Sequence, residues 1–432
     1  MPNNPAKPFR LAIAGLGTVG AEVARHITGK STALHTRTNL QLVAVSARNK
    51  NKDRGFPMDG IEFHPDPITL AKRDDIDAVV ELIGGDGSGV ALEVAEAALT
   101  AGHHLITANK ALLAHHGKRL AEMAEAKDLA LAGEAAVAGG IPIIKMMKES
   151  LAANNIHRIT AILNGTCNYI LSTMQHQACD FNETLADAQK LGYAEADPSF
   201  DIEGLDAAHK IALLASLAFG TTPNIKAMPV AGITNISLSD MTCLEGHTIR
   251  LLAEAVRLAD GGVHCRVAPV MLPLEAELAK IDGPLNAVTI KGDPIGSVTI
   301  IGPGAGAGAT ASAVLADIID VAQGHITGFF GVPAKSLIPA KPPQTSSEEG
   351  QHFIRLHVKD KPGVLADITN ILRQNRISVA SIHQSDGTDN DGVAVNLATH
   401  NVASSTIDKA MAAIAQLPVM TADPLMMRIY ND

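Results

Sequence analysis

The hydrophobic positions change period along the chain. Short apolar runs bounded by glycine or polar residues, at 9–14, 40–46, 77–83, 105–107 and 129–131, predict buried strands. Helical spacing between them, at 21–27, 90–101 and 111–127, makes a strand–helix alternation, which predicts a doubly wound parallel sheet. From 143 onward the pattern is mixed. It predicts a helix over 143–153, a strand over 156–163 and strands at 229–235, 263–272, 285–291 and 296–301. Between them lies a helix over 205–217 that carries Leu205, Ala208, Ile211, Ala212 and Ala215 on one side. A further helix spans 311–322. The stretch 340–351 is polar, prolyl and unpatterned, and reads as a linker. Beyond it come a strand at 353–358, an amphipathic helix at 364–374, strands at 377–384 and 393–399, a helix at 404–416 and a strand at 424–430: a ferredoxin-like β-α-β-β-α-β order.

With 432 residues, two or three cores are expected. Forty-five acidic against 35 basic residues give a formal charge of −10, and no basic stripe interleaves with aromatics, which argues against nucleic acid as a partner. Cys167, Cys179, Cys243 and Cys265 are scattered with no Cys-x-x-Cys pair, the usage of a reducing compartment. No signal peptide and no run of 18 apolar residues is read, so the expectation is a cytoplasmic protein with no membrane partner.

Candidate chemistry begins where the first strand ends, at Gly15-Leu16-Gly17-Thr18-Val19-Gly20. Glycines are needed where the chain turns sharply, where backbone meets a pyrophosphate and where helix packs on strand. The helix that follows offers free N–H groups to phosphate, so the context predicts dinucleotide binding. After the second strand the chain continues with Arg48, Lys50 and Lys52 rather than an acid, which favours a 2′-phosphate and hence NADP, with NAD possible. Gly84 and Gly85 close the strand at 77–83, and Lys110 stands directly after the strand at 105–107, where it would face the nicotinamide half. Gly302 and Gly306 belong to a second glycine-rich loop, expected either to fold back onto the cofactor cleft or merely to open a helix. The Gly- and Ala-rich 133–142 leaves carbonyls free for a cation or a ligand, or serves as a hinge. Asn164-Gly165-Thr166-Cys167-Asn168-Tyr169 supplies neutral polar groups at a strand end, for capping or for a ligand. Finally, Glu195, Asp197, Asp201, Glu203 and Asp206 crowd into twelve residues, and Lys210 follows Asp206 by one helical turn. A lysine beside carboxylates at the edge of an apolar helix can donate a proton or anchor charge; an exposed ion pair on a solvated acidic loop is the plainer reading.

Taken together, Gly192-Tyr193, Asp197-Pro198, Asp201-Ile202-Glu203-Gly204-Leu205-Asp206 and Lys210, with Ala108-Asn109-Lys110 and Leu163 to Tyr169, resemble the homoserine dehydrogenases over residues 9–325. The resemblance implies NAD(P)H-dependent reduction of L-aspartate 4-semialdehyde to L-homoserine in amino-acid biosynthesis. It implies Lys210 as proton donor, Lys110 between cofactor and substrate, and Asp206 in support. It also implies a substrate site of Glu195, Asp201, Thr166 and Tyr193, and a monovalent cation such as sodium on backbone around Glu134, Val137, Gly139 and Ile141. Asp360-Lys361-Pro362-Gly363-Val364-Leu365 and Ile377-Ser378-Val379 resemble the ACT regulatory module, which implies an amino-acid effector, threonine, near Gly363 and Val364. The expected division is therefore a Rossmann-type nucleotide domain at 1–142 completed by 302–325, a mixed α+β catalytic and dimerisation domain at 143–301, a connection at 326–351 and an ACT domain at 352–432, in a homodimer or homotetramer. Two alternatives stay open: another ACT-tailed hydroxy-acid dehydrogenase, and a non-catalytic sensor of nucleotide and amino acid.

Overall fold

The computed structural model describes residues 7–29, 32–341, 349–384 and 392–430. Residues 342–348, most of the expected linker, lie outside the described residues. Six strands, β1 (Phe9–Ala14), β2 (Leu40–Ser46), β3 (Glu62–His64), β4 (Ala78–Glu81), β5 (His104–Thr107) and β6 (Leu131–Ala132), form a parallel sheet in the order β3-β2-β1-β4-β5-β6. Both faces are covered, which is why these strands read as continuous apolar runs. Leu11 and Ile13 face the helices Thr18–Thr28 and Ala307–Ala322, while Ala12 and Ala14 face Val90–Ala101 and Lys110–Glu125. The strand order reverses between β1 and β4, so a crevice opens beyond their carboxyl ends.

The chain then builds a second sheet from β7 (Asn155–Ile162), β9 (His247–Arg257), β10 (Val263–Pro273), β11 (Leu285–Asp293) and β12 (Gly296–Pro303), antiparallel in the order β12-β11-β7-β9-β10. A short β8 (Thr221–Thr222) pairs instead with β13 (Ile338–Pro339), tying the segment beyond 326 to this region. Helices Gly165–Gln177 and Leu205–Phe219 cover one face of the second sheet, packing on Ile159, Ala161, Leu251 and Ala253. The C-terminal module contributes β14 (Glu349–Val358), β15 (Val379–Gln384), β16 (Val393–Thr399), a short β17 (Val402–Ala403) and β18 (Leu425–Ile429), ordered β18-β14-β16-β15. This is the expected ferredoxin-like pattern. Its last strand also pairs with β10 through Val270 with Arg428 and Met271 with Ile429, so the two sheets run on as one.

Two expected elements are corrected. Residues 229–235 form no strand: Pro229 and Gly232 interrupt them, a single bridge joins Val230 to Val267, and a Cβ on Gly232 would sit 2.1 Å from the Ile202 carbonyl oxygen. The next strand along the chain is β9, which starts only at His247. The helix expected over 143–153 is short and irregular, an α turn at Ile143–Lys145 running into a π turn at Met146–Ser150. No helix among the described residues is long and apolar enough to cross a membrane.

Candidate active site

The crevice beyond β1 and β4 is shaped by its glycines. Gly15 takes φ +106°, and a Cβ there would lie 2.5 Å from Leu82 backbone atoms; a Cβ on Gly20 would lie 2.0 Å from the Gly15 carbonyl oxygen. Gly17 differs, since nothing lies within 4 Å of its Cβ position, so the N-terminus of helix Thr18–Thr28 is open to an approaching anion. Two cavities meet at Leu82. One of about 650 Å³ is lined by Gly15, Gly17, Arg48, Lys52 and Arg54. The other, of about 680 Å³, is lined by Val19, Gly84, Lys110, Glu195 and Lys210 among others. Thr18 opens the helix between them. Lys50 points elsewhere, with its ammonium 5.8 Å from the centre of the Phe63 ring. Arg54, which sequence reasoning passed over, donates to the carbonyls of Leu16 at 3.1 Å, Asn49 at 2.6 Å and Lys52 at 2.7 Å, fixing the basic loop to the glycine loop. Gly84 and Gly85 both take left-handed φ after β4. Gly306 lines the larger cavity with Gly304 and Thr310, whereas Gly302 stays within β12 against the Ile141 side chain.

At the bottom of the larger cavity the helix Leu205–Phe219 begins after Gly204, whose φ of +85° lets the chain turn in. Asp206 lies in its first turn and Lys210 one turn on, both buried. The Lys210 ammonium donates to Asp206 Oδ2 at 2.7 Å and to the Leu163 carbonyl at 2.7 Å. Lys110 reaches the other oxygen, Asp206 Oδ1, at 2.9 Å. One carboxylate thus holds two ammonium groups. Burial works against that charge, but Lys210 and then Lys110 override it and keep the carboxyl well below the usual carboxylate range. The Lys210 side chain is 10% exposed and that of Lys110 31%. Lys110 is placed by its neighbours: Asn109 caps helix Lys110–Glu125 and donates to the Gly84 carbonyl at 3.2 Å. The Asn109 N–H itself donates to the Thr107 hydroxyl, which donates in turn to the buried Glu81 carboxylate. Phe200 lies beneath the Lys110 ammonium, 5.3 Å from ring centre, and packs on His209.

Asp201 sits beside this group. Burial raises its carboxyl above the ordinary range, and the Asp206 charge raises it further. Asn164 donates to Asp201 Oδ1 at 2.8 Å and to Asp206 Oδ2 at 2.9 Å, and the Thr166 hydroxyl oxygen lies 3.2 Å from Asp201 Oδ2. Thr166 donates to the Tyr193 carbonyl at 2.6 Å, and the Tyr193 ring packs on Tyr169 with centres 4.9 Å apart. Glu195 reaches the same cavity from the exposed loop before Asp197. The cavity thus brings together Lys110, Lys210, Asp206, Asp201, Thr166, Tyr193 and Glu195: two cations on one carboxylate, with further acidic and neutral polar groups lining the same space. Such a set can hold a small zwitterion and protonate an oxygen on it.

Family models match the chain along most of its length: homoserine dehydrogenase, NAD binding domain, at residues 15–134; homoserine dehydrogenase at 142–319; and ACT domain at 352–419. The homoserine dehydrogenase of Neisseria gonorrhoeae is 38% identical over 98% of this chain and 99% of its own, and that of Pseudomonas aeruginosa 37% identical over 98% and 99%. The chain belongs to the homoserine dehydrogenase family. Among solved structures of the family, that from Thiobacillus denitrificans superposes at a TM-score of 0.89 with 36% identity, covering 98% of this chain and 99% of that one. A hyperthermophilic archaeal homoserine dehydrogenase in complex with NADPH matches at a TM-score of 0.63 and 26% identity, over 75% of this chain and all of its own. The family membership makes the chain an NAD(P)-dependent oxidoreductase with a C-terminal ACT domain.

Of the two further expected sites, the Gly- and Ala-rich segment lends Ala135, Ala136, Ala138 and Gly139 to the lining of the larger cavity, and the other lies in the C-terminal module. Among the described residues no group of three His, Cys, Asp or Glu gathers as metal ligands, so a cation near 134–141 would rest on backbone oxygens. There the Glu134 carboxylate accepts the N–H groups of Ile144 at 2.9 Å and Lys145 at 2.8 Å, the Glu134 and Ile141 carbonyls accept from Val137 and Ile143, and Ala138 and Gly139 take left-handed φ. Gly363, φ +93°, precedes the helix Val364–Gln374, with nothing within 4 Å of its Cβ position and Val364 buried behind it.

Proposed function

We propose that this chain reduces L-aspartate 4-semialdehyde to L-homoserine, with Lys210 as the proton donor to the carbonyl oxygen. The observation that carries the reading is Asp206 holding Lys210 and Lys110 in the one cavity that Val19 and Gly84 of the nucleotide fold also line. Reduced nicotinamide, when bound, supplies a hydride to the carbonyl carbon. The residues present fit such a cofactor, since Gly17 leaves open space at a helix N-terminus and Gly15 and Gly20 are closed to any side chain. The developing alkoxide needs positive charge and a proton, and the Lys210 ammonium, aligned by Leu163 and Asp206, can offer both. Lys110 would pair with the substrate carboxylate, Glu195 with its ammonium, and Asp201, Thr166 and Tyr193 would frame the rest of the amino acid. Arg48 and Lys52 support NADP over NAD, and Arg54 would keep their loop in place.

The same reading extends to a monovalent cation on the carbonyls of Glu134, Val137, Gly139 and Ile141, to threonine bound at Gly363 and Val364, and to a cytoplasmic homo-oligomer. An effector acts only by binding two states of the enzyme unequally. The test is oxidation of NADPH by the purified chain, followed at 340 nm with aspartate 4-semialdehyde, with a 2-oxo acid and with no substrate. Turnover with the semialdehyde alone is expected. Turnover with only the oxo acid would favour another ACT-tailed dehydrogenase, and turnover with neither would favour a sensor.

A further inference from the structure

Among the described residues Asn164 is the one neutral side chain that donates to both Asp201 and Asp206, and nothing about a helix cap requires that. Its orientation is set by chemistry: Oδ1 accepts the Cys167 N–H at 2.8 Å, so the amide nitrogen must face the other way. Its two protons then go to Asp201 Oδ1 at 2.8 Å and Asp206 Oδ2 at 2.9 Å, residues 37 and 42 positions later in the chain. Asp206 Oδ2 is the same oxygen that accepts from Lys210. Without the amide, two buried carboxyls would face each other with no donor shared between them, which favours uptake of a proton by one of them.

We infer that Asn164 is a positioning residue for reduction of the semialdehyde, holding Asp201 and Asp206 apart and both ionised so that Asp206 keeps Lys210 aimed at the substrate oxygen. The inference rests on the proposed activity. The charged and titratable groups facing the pair are Lys210 and His209 from helix Leu205–Phe219, Lys110 from helix Lys110–Glu125, Cys167 from helix Gly165–Gln177 and Glu195 from the loop before Asp197.

Asn164→Asp and Asn164→Ser separate this role from capping, because Asp and Ser both cap well and neither can donate to two carboxylates. Both variants should stay folded and bind NADPH, melting below the wild type because each loses hydrogen bonds to buried carboxyls. The acid limb of kcat/KM should move to higher pH by roughly one unit, further in Asn164→Asp, because the lost donors had favoured the ionised forms. At pH 7, kcat should fall about 10- to 100-fold, as expected for loss of hydrogen bonds to charged groups. A folded Asn164→Asp with unchanged acid limb and kcat would overturn the inference. Carboxyl titration by NMR in protein labelled at aspartate, assigned with Asp201→Asn, decides the point without any turnover. Displacement of the Asp201 midpoint upward in the Ser variant supports the role, and an unmoved midpoint defeats it even in a protein that proves inactive on the semialdehyde.

Discussion

Lys210→Ala perturbs the centre of the site, and its cost can be worked out on both stability and rate. Removing one partner of a buried ion pair costs about 3 to 5 kcal/mol when the survivor is left uncompensated. Asp206 is not left so, because Lys110 stays at 2.9 Å on Oδ1 and Asn164 at 2.9 Å on Oδ2. The loss should therefore fall below that range, at about 2 kcal/mol, part of it from the unpaired Leu163 carbonyl. The protein should remain folded and bind NADPH. Turnover should fare worse, since a positioned proton donor is worth roughly 10²- to 10⁴-fold, or about 3 to 5 kcal/mol of barrier. The assay is steady-state reduction of aspartate 4-semialdehyde beside a fluorescence titration with NADPH and a thermal melt. Small primary amines should restore part of kcat by entering the space the side chain leaves. A kcat within tenfold of wild type in a folded, NADPH-binding Lys210→Ala, with no response to added amine, would refute the proton-donor argument.

Three other outcomes are expected. Arg48→Ala should raise KM for NADPH about 10- to 100-fold, the worth of a charge-assisted hydrogen bond, and leave KM for NADH nearly unchanged; parallel kinetics with the two cofactors checks it. Burial, then the neighbouring Glu134 carboxylate, pushes the Asp317 carboxyl up to about 7, while it accepts the Glu134 N–H at 2.9 Å. A raised folded value means that this group's contribution to stability is whole below about pH 4 and is lost as pH rises through about 7. Asp317→Asn keeps the acceptor without the charge, so its melting temperature should gain on the wild type between pH 4 and 7 and hold that gain above; the ceiling, about 3 units at about 1.4 kcal/mol each, is about 4 kcal/mol. Gly363→Leu in the full chain should abolish threonine binding by calorimetry and any threonine inhibition, leaving kcat without threonine as in the wild type.

What could be read along the chain was whatever depends on neighbours in sequence. The glycines before helix Thr18–Thr28 and the turn-spaced Asp206 and Lys210 announce themselves because strand, turn and helix are local. β9 was hidden for a physical reason. Arg250 and Glu254 stand four apart among Leu and Ala, a helical spacing in helix-forming residues, yet in a strand the same two share a face with Leu252 and Val256. That face buries them because partners arrive from elsewhere: Arg250 donates to the carbonyls of Ala279 and Ile281 and to Asp282, and Glu254 lies between Arg158 and Arg266. The pairing of β18 with β10 is unreadable in the same way, since an edge strand carries no mark of the strand it will meet. Asn164 shows where the division falls within one side chain. Its oxygen does a local job, capping at Cys167, and that half was legible; its nitrogen answers to Asp201 and Asp206, which come near only once two helices pack on the second sheet. Lys110 and Lys210 likewise carry no sign of each other until both reach Asp206, so the nucleotide fold and the second sheet must be docked before either lysine has a place in the reaction.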